Sequence, residues 1–326
     1  MARACSLLLV CLLAGGLVPI AYGQTGLRST DGVPPTIDAV RFEGLDRTRP
    51  DFLRRFLGSR PGRPYDSVQV AADVQALRNM NAFGNASAEL RTPDPARHVL
   101  VFEVTEYASR IPYLNVGGLS ENSWIQVGGI DTNWLGRGYD LGGYYRYDGG
   151  HSFGLYQSMP YLFGGRWGLS YTLDRLATTE PAFFGRQTVS YEVRRFSGIG
   201  LLRYELTKTP GAGLTSAIEA GGGILREAYR KASRGELPGP AERTFWKYLL
   251  KARLTQRNVN HYRHERAGMV NITKLQAVKT GGGPFNFWKV LNIFRGYARP
   301  FPDVNWALRL RTGISTNERS PFVPFV

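Results

Sequence analysis

The sequence has little cysteine, and what it has lies near the N-terminus. Cys5 and Cys11 are its two cysteines, so the chain beyond them has no thiol for a disulfide or a cysteine metal site. An exported chain of 326 residues without disulfides must be held together by a full core or by a closed hydrogen-bonded barrel.

Long apolar runs are also missing after the first two dozen residues. Arg3 precedes an apolar run over residues 7–18, which is shorter than the ~20 residues that a membrane-spanning helix needs. Small residues at Ala21 and Gly23 fit the site of a signal peptidase, so we predict a signal peptide over residues 1–23. A protein with this sequence that sits in a membrane would cross it with strands.

Acidic residues are scarce relative to basic ones, with 26 Asp and Glu against 41 Lys and Arg, for a formal net charge of +15. Such a charge suits either nucleic acid or an anionic membrane surface. The basic residues are spread over nearly every predicted strand, and export is predicted, so we expect no nucleic-acid partner.

Signatures of enzymatic chemistry are weak. Gly150 to Gly154 match G-x-S-x-G, in which Ser152 would be the nucleophile of an outer-membrane lipase or esterase, but alternating strands flank the motif where a strand and a helix are required. His261, His264 and Glu265 follow no zinc-binding order. We expect no enzyme, no cofactor and no metal site, and keep the lipase as the least favoured alternative.

A small α+β unit is predicted after a polar, turn-rich linker at residues 24–35. It opens with a strand near Val40, and Thr48 offers a capping hydroxyl for a helix that runs to Gly58. A second amphipathic helix follows Asp66, and strands over 85–91 and 98–105 complete the unit.

The composition changes after residue 107. All six tryptophans and fourteen of the seventeen tyrosines lie beyond it, as expected for aromatic girdles at two membrane interfaces. Polar and apolar side chains alternate repeatedly there, as in Trp246 to Thr255. We predict eleven strands, at about 111–118, 123–133, 138–148, 152–160, 165–174, 188–206, 213–229, 245–257, 268–279, 286–299 and 304–315.

The predicted connections alternate in length. Short turns on one side and long loops on the other, such as 175–187 and 230–244, match the periplasmic and extracellular faces of a barrel. Residues 258–267 are the exception, being long for a periplasmic turn.

One small unit that leads directly into such strands resembles the BamA/TamA outer-membrane assembly superfamily, also called the bacterial surface antigen family. Arg41-Phe42-Glu43-Gly44 and the segment from Leu77 to Phe83 are similar to a POTRA domain, the periplasmic module of these proteins. The first hairpin also carries a family-like motif, Asp131-Thr132-Asn133-Trp134-Leu135-Gly136-Arg137-Gly138.

The resemblance implies a POTRA-like periplasmic domain at 36–107, followed at 108–326 by an all-β transmembrane barrel in the bacterial outer membrane. The family barrel has about sixteen strands, so eleven form an incomplete barrel, and the chain resembles a fragment truncated at its C-terminus. Arg295-Gly296-Tyr297 look like part of the family's sixth-loop motif, but we interpret them as strand.

The resemblance further implies an assembly or insertion factor that adds client strands to open strand edges. Its partners would be unfolded β-barrel clients, outer-membrane lipid and lipopolysaccharide, and accessory periplasmic proteins. A polypeptide-secretion or solute pore is the alternative. The residues that the resemblance assigns to the POTRA edge are Asn85, Ala86, Ser87, Ala88, Glu89, Leu90 and Arg91. Those of the first barrel strand, the gate strand, are Ile111, Pro112, Tyr113, Leu114, Asn115, Val116, Gly117 and Gly118. Those of the first-hairpin motif are Asp131, Asn133, Gly136, Arg137 and Gly138.

Overall fold

The computed structural model describes residues 34–80, 82–118, 123–162, 165–184, 186–207, 214–232, 239–262, 265–281, 286–301 and 304–316. The predicted signal peptide and most of the predicted linker lie outside these residues. Within them, no helix is both long and apolar enough to cross a membrane.

The N-terminal domain packs two helices on a three-stranded sheet. Its elements are β1 Ala39–Glu43, α1 Pro50–Leu53, α2 Ser67–Arg78, β2 Phe83–Asp94 and β3 Arg97–Glu106. The strand order is β1-β3-β2, with β1 parallel and β2 antiparallel to β3. Leu53, Leu77, Leu100 and Phe102 are fully buried in the core of this domain. Leu100 and Phe102 share one face of β3 because side chains alternate along a strand.

The two helices differ in how they begin. Asp66 caps α2 as predicted, since its carboxylate accepts hydrogen bonds from the backbone nitrogens of Val68 (2.9 Å) and Gln69 (3.3 Å). The prediction for α1 was wrong, because the helix is one turn long and has no side-chain cap. The hydroxyl of Thr48 accepts a hydrogen bond from Asn133 of the second domain instead.

The second domain is one antiparallel sheet of eleven strands in sequence order, which confirms the predicted number. The strands are β4 Arg110–Gly117, β5 Trp124–Trp134, β6 Tyr139–Tyr147, β7 His151–Met159, β8 Trp167–Phe184, β9 Gln187–Glu205, β10 Thr215–Lys231, β11 Glu242–Tyr262, β12 Glu265–Gly281, β13 Phe287–Phe301 and β14 Val304–Ser315. Among the described strands, the sheet does not close, and β4 and β14 are its two edges.

Two predicted loops are strand instead. The ladder between β8 and β9 runs on to Phe184 and Gln187, so the predicted loop at 175–187 was wrong. The sequence from Thr178 to Pro181 hides this strand because it does not alternate, whereas its partner strand buries every second residue. Likewise β11 and β12 pair up to Tyr262 and Glu265, which shortens the predicted turn at 258–267.

The two faces of the large sheet differ in chemistry. The outer face exposes large apolar side chains, among them Trp167, Leu202, Ile218, Leu250 and Leu308. The inner face carries buried carboxylates with their basic partners and a small apolar cluster. Arg295 lies within β13, which confirms the interpretation of this segment as strand.

Candidate strand-addition edges and the joint between the domains

The first candidate site is the free edge of the N-terminal sheet. Residues 85–91 lie in β2, which pairs with β3 on one side and, among the described strands, with none on the other. Asn85, Ser87 and Glu89 of this segment are exposed, whereas Ala86 is fully buried beneath the helices. The open edge offers backbone donors and acceptors that an extended peptide can pair with, whatever its sequence.

An exposed ionic cluster lies at one end of this edge. Arg91 contacts Glu43 (2.8 Å), Glu89 (2.9 Å) and Glu103 (2.5 Å), so it spans all three strands of the small sheet. Hydrogen bonds to Glu89 and Glu43 raise the pKa of the Arg91 guanidinium above its ordinary value. Solvent screens these contacts, so the cluster contributes little to stability and instead leaves the edge with mixed charge.

The second candidate site is β4, which contains the gate-strand residues 111–117, with Gly118 directly after it. This strand pairs with β5, and its other edge is open among the described residues. Apolar side chains along it are exposed, with 64% of Leu114 and 70% of Val116 accessible. A proline at position 112 is tolerated because an edge strand can lack a ladder donor.

The first-hairpin motif forms a joint with the N-terminal domain. Asp131 pairs with Arg47 (3.0 Å between Oδ2 and Nη2), and Arg47 also donates to the hydroxyl of Ser109. Asn133 is buried, donates to the hydroxyl of Thr48 (2.8 Å), and accepts from the backbone nitrogen of Gly138 (2.8 Å). The motif therefore links the two domains as well as turning the hairpin.

The glycines of the motif are needed at this joint. Gly136 has a φ of +69° and accepts a hydrogen bond from the backbone nitrogen of Arg49 (2.9 Å). A Cβ atom at Gly136 would lie 2.1 Å from the carbonyl oxygen of Arg47, and one at Gly138 would lie 2.9 Å from the Phe52 ring. Close approach of the two backbones thus requires glycine. No side-chain hydrogen bond of Arg137 is found among the described residues.

Glu106 completes the joint from the end of β3. Its carboxylate accepts hydrogen bonds from the backbone nitrogens of Arg47 (3.1 Å) and Thr48 (2.9 Å). Sequence reasoning missed Arg47, Thr48 and Glu106 as joint residues, because they lie 25 residues or more before the motif and no local pattern connects them to it. The available signal was the motif's own Asp131 and Asn133, because such side chains need polar partners when they are buried.

Two further contacts hold the N-terminal domain against the same end of the sheet. The side chain of Asn79, the residue that caps the C-terminus of α2, donates to Asn260 (3.0 Å) and accepts from the backbone nitrogen of His261 (3.0 Å) at the end of β11. The ring of Phe56 packs edge-on against Tyr161 beyond β7, with 5.1 Å between centroids. The domain thus contacts the sheet at three separate turns, and we call this end of the sheet proximal.

The inner face carries buried ionic groups. The end of the sheet opposite the proximal end is called distal. Near it, Glu227 accepts hydrogen bonds from Arg195 (2.7 Å), Tyr229 (2.9 Å) and Lys247. The apolar cluster of the inner face lies beyond this group, closer to the distal strand ends, and includes Tyr191 and Phe245. Buried charges of this kind are tolerated when each one is paired, and this group joins the three neighbouring strands β9, β10 and β11.

Further along the inner face, basic residues outnumber acids. Glu205 pairs with Arg203 (2.6 Å), and Glu219 pairs with Arg203 (3.7 Å) and Arg253. In contrast, Lys251, Lys274 and Arg311 line the same inner groove, and no carboxylate forms an ion pair with them among the described residues. The groove is therefore basic.

Ser152 of the G-x-S-x-G segment lies in β7 and is fully buried. Its hydroxyl donates to the carbonyl oxygen of Ala177 (3.1 Å) and accepts from the nitrogen of the same residue (2.8 Å). The hydroxyl thus extends the β7–β8 ladder and does not face an open pocket. No cluster of His, Cys, Asp or Glu within the described ranges has the geometry of a metal site.

Comparison with known proteins gives one family match and several similar folds. Residues 35–107 match the family model of POTRA, the surface antigen variable number repeat. No curated protein sequence matches the chain.

Three solved structures illustrate the similar folds. BamA from Haemophilus ducreyi, in a crystal structure lacking POTRA domains 1-3, has a TM-score of 0.55 and 16% identity, over 86% of this chain and 55% of that one. CdiB from Escherichia coli has a TM-score of 0.53 and 12% identity, over 87% and 55%. CdiB from Acinetobacter baumannii has a TM-score of 0.50 and 9% identity, over 88% and 54%.

The chain spans about half the length of the structures that it matches. Its N-terminal domain is followed by an antiparallel sheet that matches the barrel strands of those proteins. In fold, the chain is similar to these structures: a POTRA domain leads into antiparallel strands like those of their β-barrels.

Proposed function

We propose that this chain acts in outer-membrane protein assembly, guiding strands of unfolded β-barrel clients into the membrane without enzymatic turnover. The observation that carries the proposal is β4, whose outer edge has no partner strand among the described residues and whose apolar side chains are exposed. A client strand that pairs with this edge satisfies its own backbone groups before it meets lipid, where unpaired groups are costly.

The edge of β2 supplies an earlier step in the same proposal. With the sheet in the outer membrane and the N-terminal domain in the periplasm, β2 would bind an extended client segment before it reaches β4. Binding through backbone hydrogen bonds suits many clients, because it depends weakly on their sequence. Accessory periplasmic proteins and the surrounding lipid and lipopolysaccharide are the other proposed partners.

Cysteine crosslinking tests the proposal cleanly, because the sequence has no cysteine after Cys11. Leu114→Cys in β4 and Ser87→Cys in β2 should form disulfides with cysteines in the edge strands of a client that is being assembled. Ile218→Cys is the matched control, since this exposed residue lies on β10, which is paired on both sides. Equal trapping at Ile218 and Leu114 would refute strand addition at β4.

A polypeptide-secretion pore is the second candidate. It is supported by the basic groove of the inner face and by the likeness of the fold to CdiB. Lys251→Cys on the inner face separates the two functions. A secreted polypeptide trapped at Lys251 but not at Leu114 would favour the pore, whereas trapping at Leu114 alone favours assembly.

A further inference from the structure

Three arginines cluster on the outer face of the sheet, around one phenylalanine. Arg175 on β8 and Arg226 on β10 are both direct cross-strand partners of Phe196 on β9. Arg194 lies two residues from Phe196 on the same strand and therefore on the same face. Direct partners have Cβ atoms about 5 Å apart and diagonal ones about 7–8 Å, so the three guanidinium groups can reach one ligand.

Glu192 lies beside this arginine cluster, two residues from Arg194 on the same face of β9. Within the described ranges, no carboxylate forms an ion pair with Arg175, Arg194 or Arg226, whereas the neighbouring inner-face arginines Arg195 and Arg203 are both paired with glutamates. The contacts found for Arg175 are with aromatic rings, since its guanidinium lies 5.8 Å from the Phe153 centroid and 5.7 Å from that of Phe196. The three arginines thus outnumber the acid beside them and form no ion pair among the described residues, so they can bind an anion from outside.

The cluster lies at the height of the distal membrane interface. Arg175 follows Trp167 on β8 by eight residues, or ~26 Å along the strand and ~20 Å in height at the usual tilt. Trp167 marks the proximal girdle, and the apolar band of such barrels is about 25 Å tall. Trp246, the direct partner of Arg226, adds an aromatic residue to the distal girdle.

An apolar trough leads from the cluster toward the middle of the sheet. Gly198 and Gly200 follow Phe196 on the outer face of β9, between exposed Leu173 and Ile224 on the two neighbouring strands. The space beside Gly200 is open, since a Cβ atom there would have no neighbour within 4 Å. Two glycines between larger apolar side chains leave a shallow apolar trough in the outer face.

We propose that this surface binds a phosphorylated glycolipid of the outer leaflet, of the lipid A type, with its phosphate on the arginine cluster and an acyl chain in the glycine trough. Guanidinium groups bind phosphate in bidentate geometry, and the aromatic residues stack on the headgroup boundary. This combination indicates a phosphate joined to an acyl chain, because a free phosphate would use the arginines but not the trough. The inference rests on the proposed outer-membrane location and deepens it by naming the lipid and its residues.

The test measures lipid retention by the purified chain in detergent micelles, with native mass spectrometry after addition of lipid A. Arg175→Gln combined with Arg226→Gln should lower the bound fraction ~tenfold or more, because each substitution removes charged hydrogen bonds to phosphate. Gly200→Phe should lower it as well, with every arginine in place. Arg230→Gln with Lys279→Gln is the matched control, since both are exposed cations of the same sheet and Arg230 already faces Glu242.

Further arms separate the source of the phosphate. Millimolar inorganic phosphate should not displace lipid A, and dephosphorylated lipid A should bind as weakly to the parent protein as lipid A does to the arginine variant. Unchanged binding in both the arginine and the Gly200→Phe variants, or an equal loss in the control pair, would overturn the proposal. Binding in micelles is independent of client trapping, so this test and the assembly test fail separately.

Discussion

Asn133→Ala tests the claim that the first-hairpin motif holds the two domains together. The side chain of Asn133 is 2% exposed, donates to the Thr48 hydroxyl and accepts from the backbone nitrogen of Gly138. Alanine removes both hydrogen bonds. It leaves the nitrogen of Gly138 and the buried hydroxyl of Thr48 without this partner.

The expected cost follows from these two groups. A buried polar group that loses its partner costs about 1–3 kcal/mol, so the joint should be weakened by ~2–4 kcal/mol. Since 1.4 kcal/mol corresponds to a factor of ten, amides protected by the joint should exchange ~30-fold faster or more. The amide of Gly138 and that of Arg49, which donates to Gly136, should show the change most clearly.

Hydrogen exchange read by mass spectrometry provides the assay, with peptides from residues 45–52 and 131–140 compared with those from β9 and β10. Asn115→Ala is the control, because this exposed asparagine lies on β4 five residues beyond Arg110, toward the end of the strand that points away from the joint. Unchanged exchange in the two joint peptides would refute the reasoning. Equal acceleration in β9 and β10 would also refute it, because the effect would then be global.

Two other substitutions have matched controls within the chain. Gly136→Ala should release the joint and speed protease cleavage between the domains, because its Cβ would collide with the Arg47 carbonyl. Gly62→Ala is the control, since Gly62 has a φ of +81° but open space around it. That substitution should cost only ~1–2 kcal/mol of backbone strain and leave cleavage unchanged. Glu227→Gln should lower the free energy of unfolding by ~3–5 kcal/mol in denaturant titration, because it leaves buried cations without an anion. Glu242→Gln breaks an exposed pair and should cost under ~1 kcal/mol. Similar cleavage rates for the two glycine variants, or similar losses in the free energy of unfolding for the two glutamate variants, would contradict these predictions.

The eleven strands were predictable because a half-buried strand repeats its polarity every two residues. Trp246 to Thr255 show this period clearly and lie within β11. Prediction failed where the period is lost. Thr178 to Pro181 belong to β8 although they do not alternate, because the regular partner strand β9 supplies the buried residues on the inner face.

The contacts of the joint could not be predicted from the sequence, for a different reason. The motif from Asp131 to Gly138 was interpreted as the corner of a hairpin, and its turn does have that shape. Its contacts with Arg47 and Thr48 connect residues about 85 positions apart, and no local periodicity encodes such a pairing. Thr48 was assigned to a helix cap on local grounds, and the tertiary contact prevailed over that local role.

The edges of β2 and β4 were predictable in position but not in function. Their positions followed from strand order and resemblance, and the structure places residues 85–91 and 111–117 on edge strands. Their role in binding clients stays a prediction, since an open edge defines what can pair with it but not what does.

The most direct measurement of the central claim is a pulse-chase experiment with a photo-crosslinking amino acid in place of Leu114, in the natural outer membrane. We expect an adduct with a newly exported β-barrel client, which forms through the client's edge strand and disappears during the chase as the client folds. The same amino acid at Ile218 should give no such transient adduct. A Leu114 position that never contacts a client, while the inner-face position Lys251 contacts a passing polypeptide, would contradict the account.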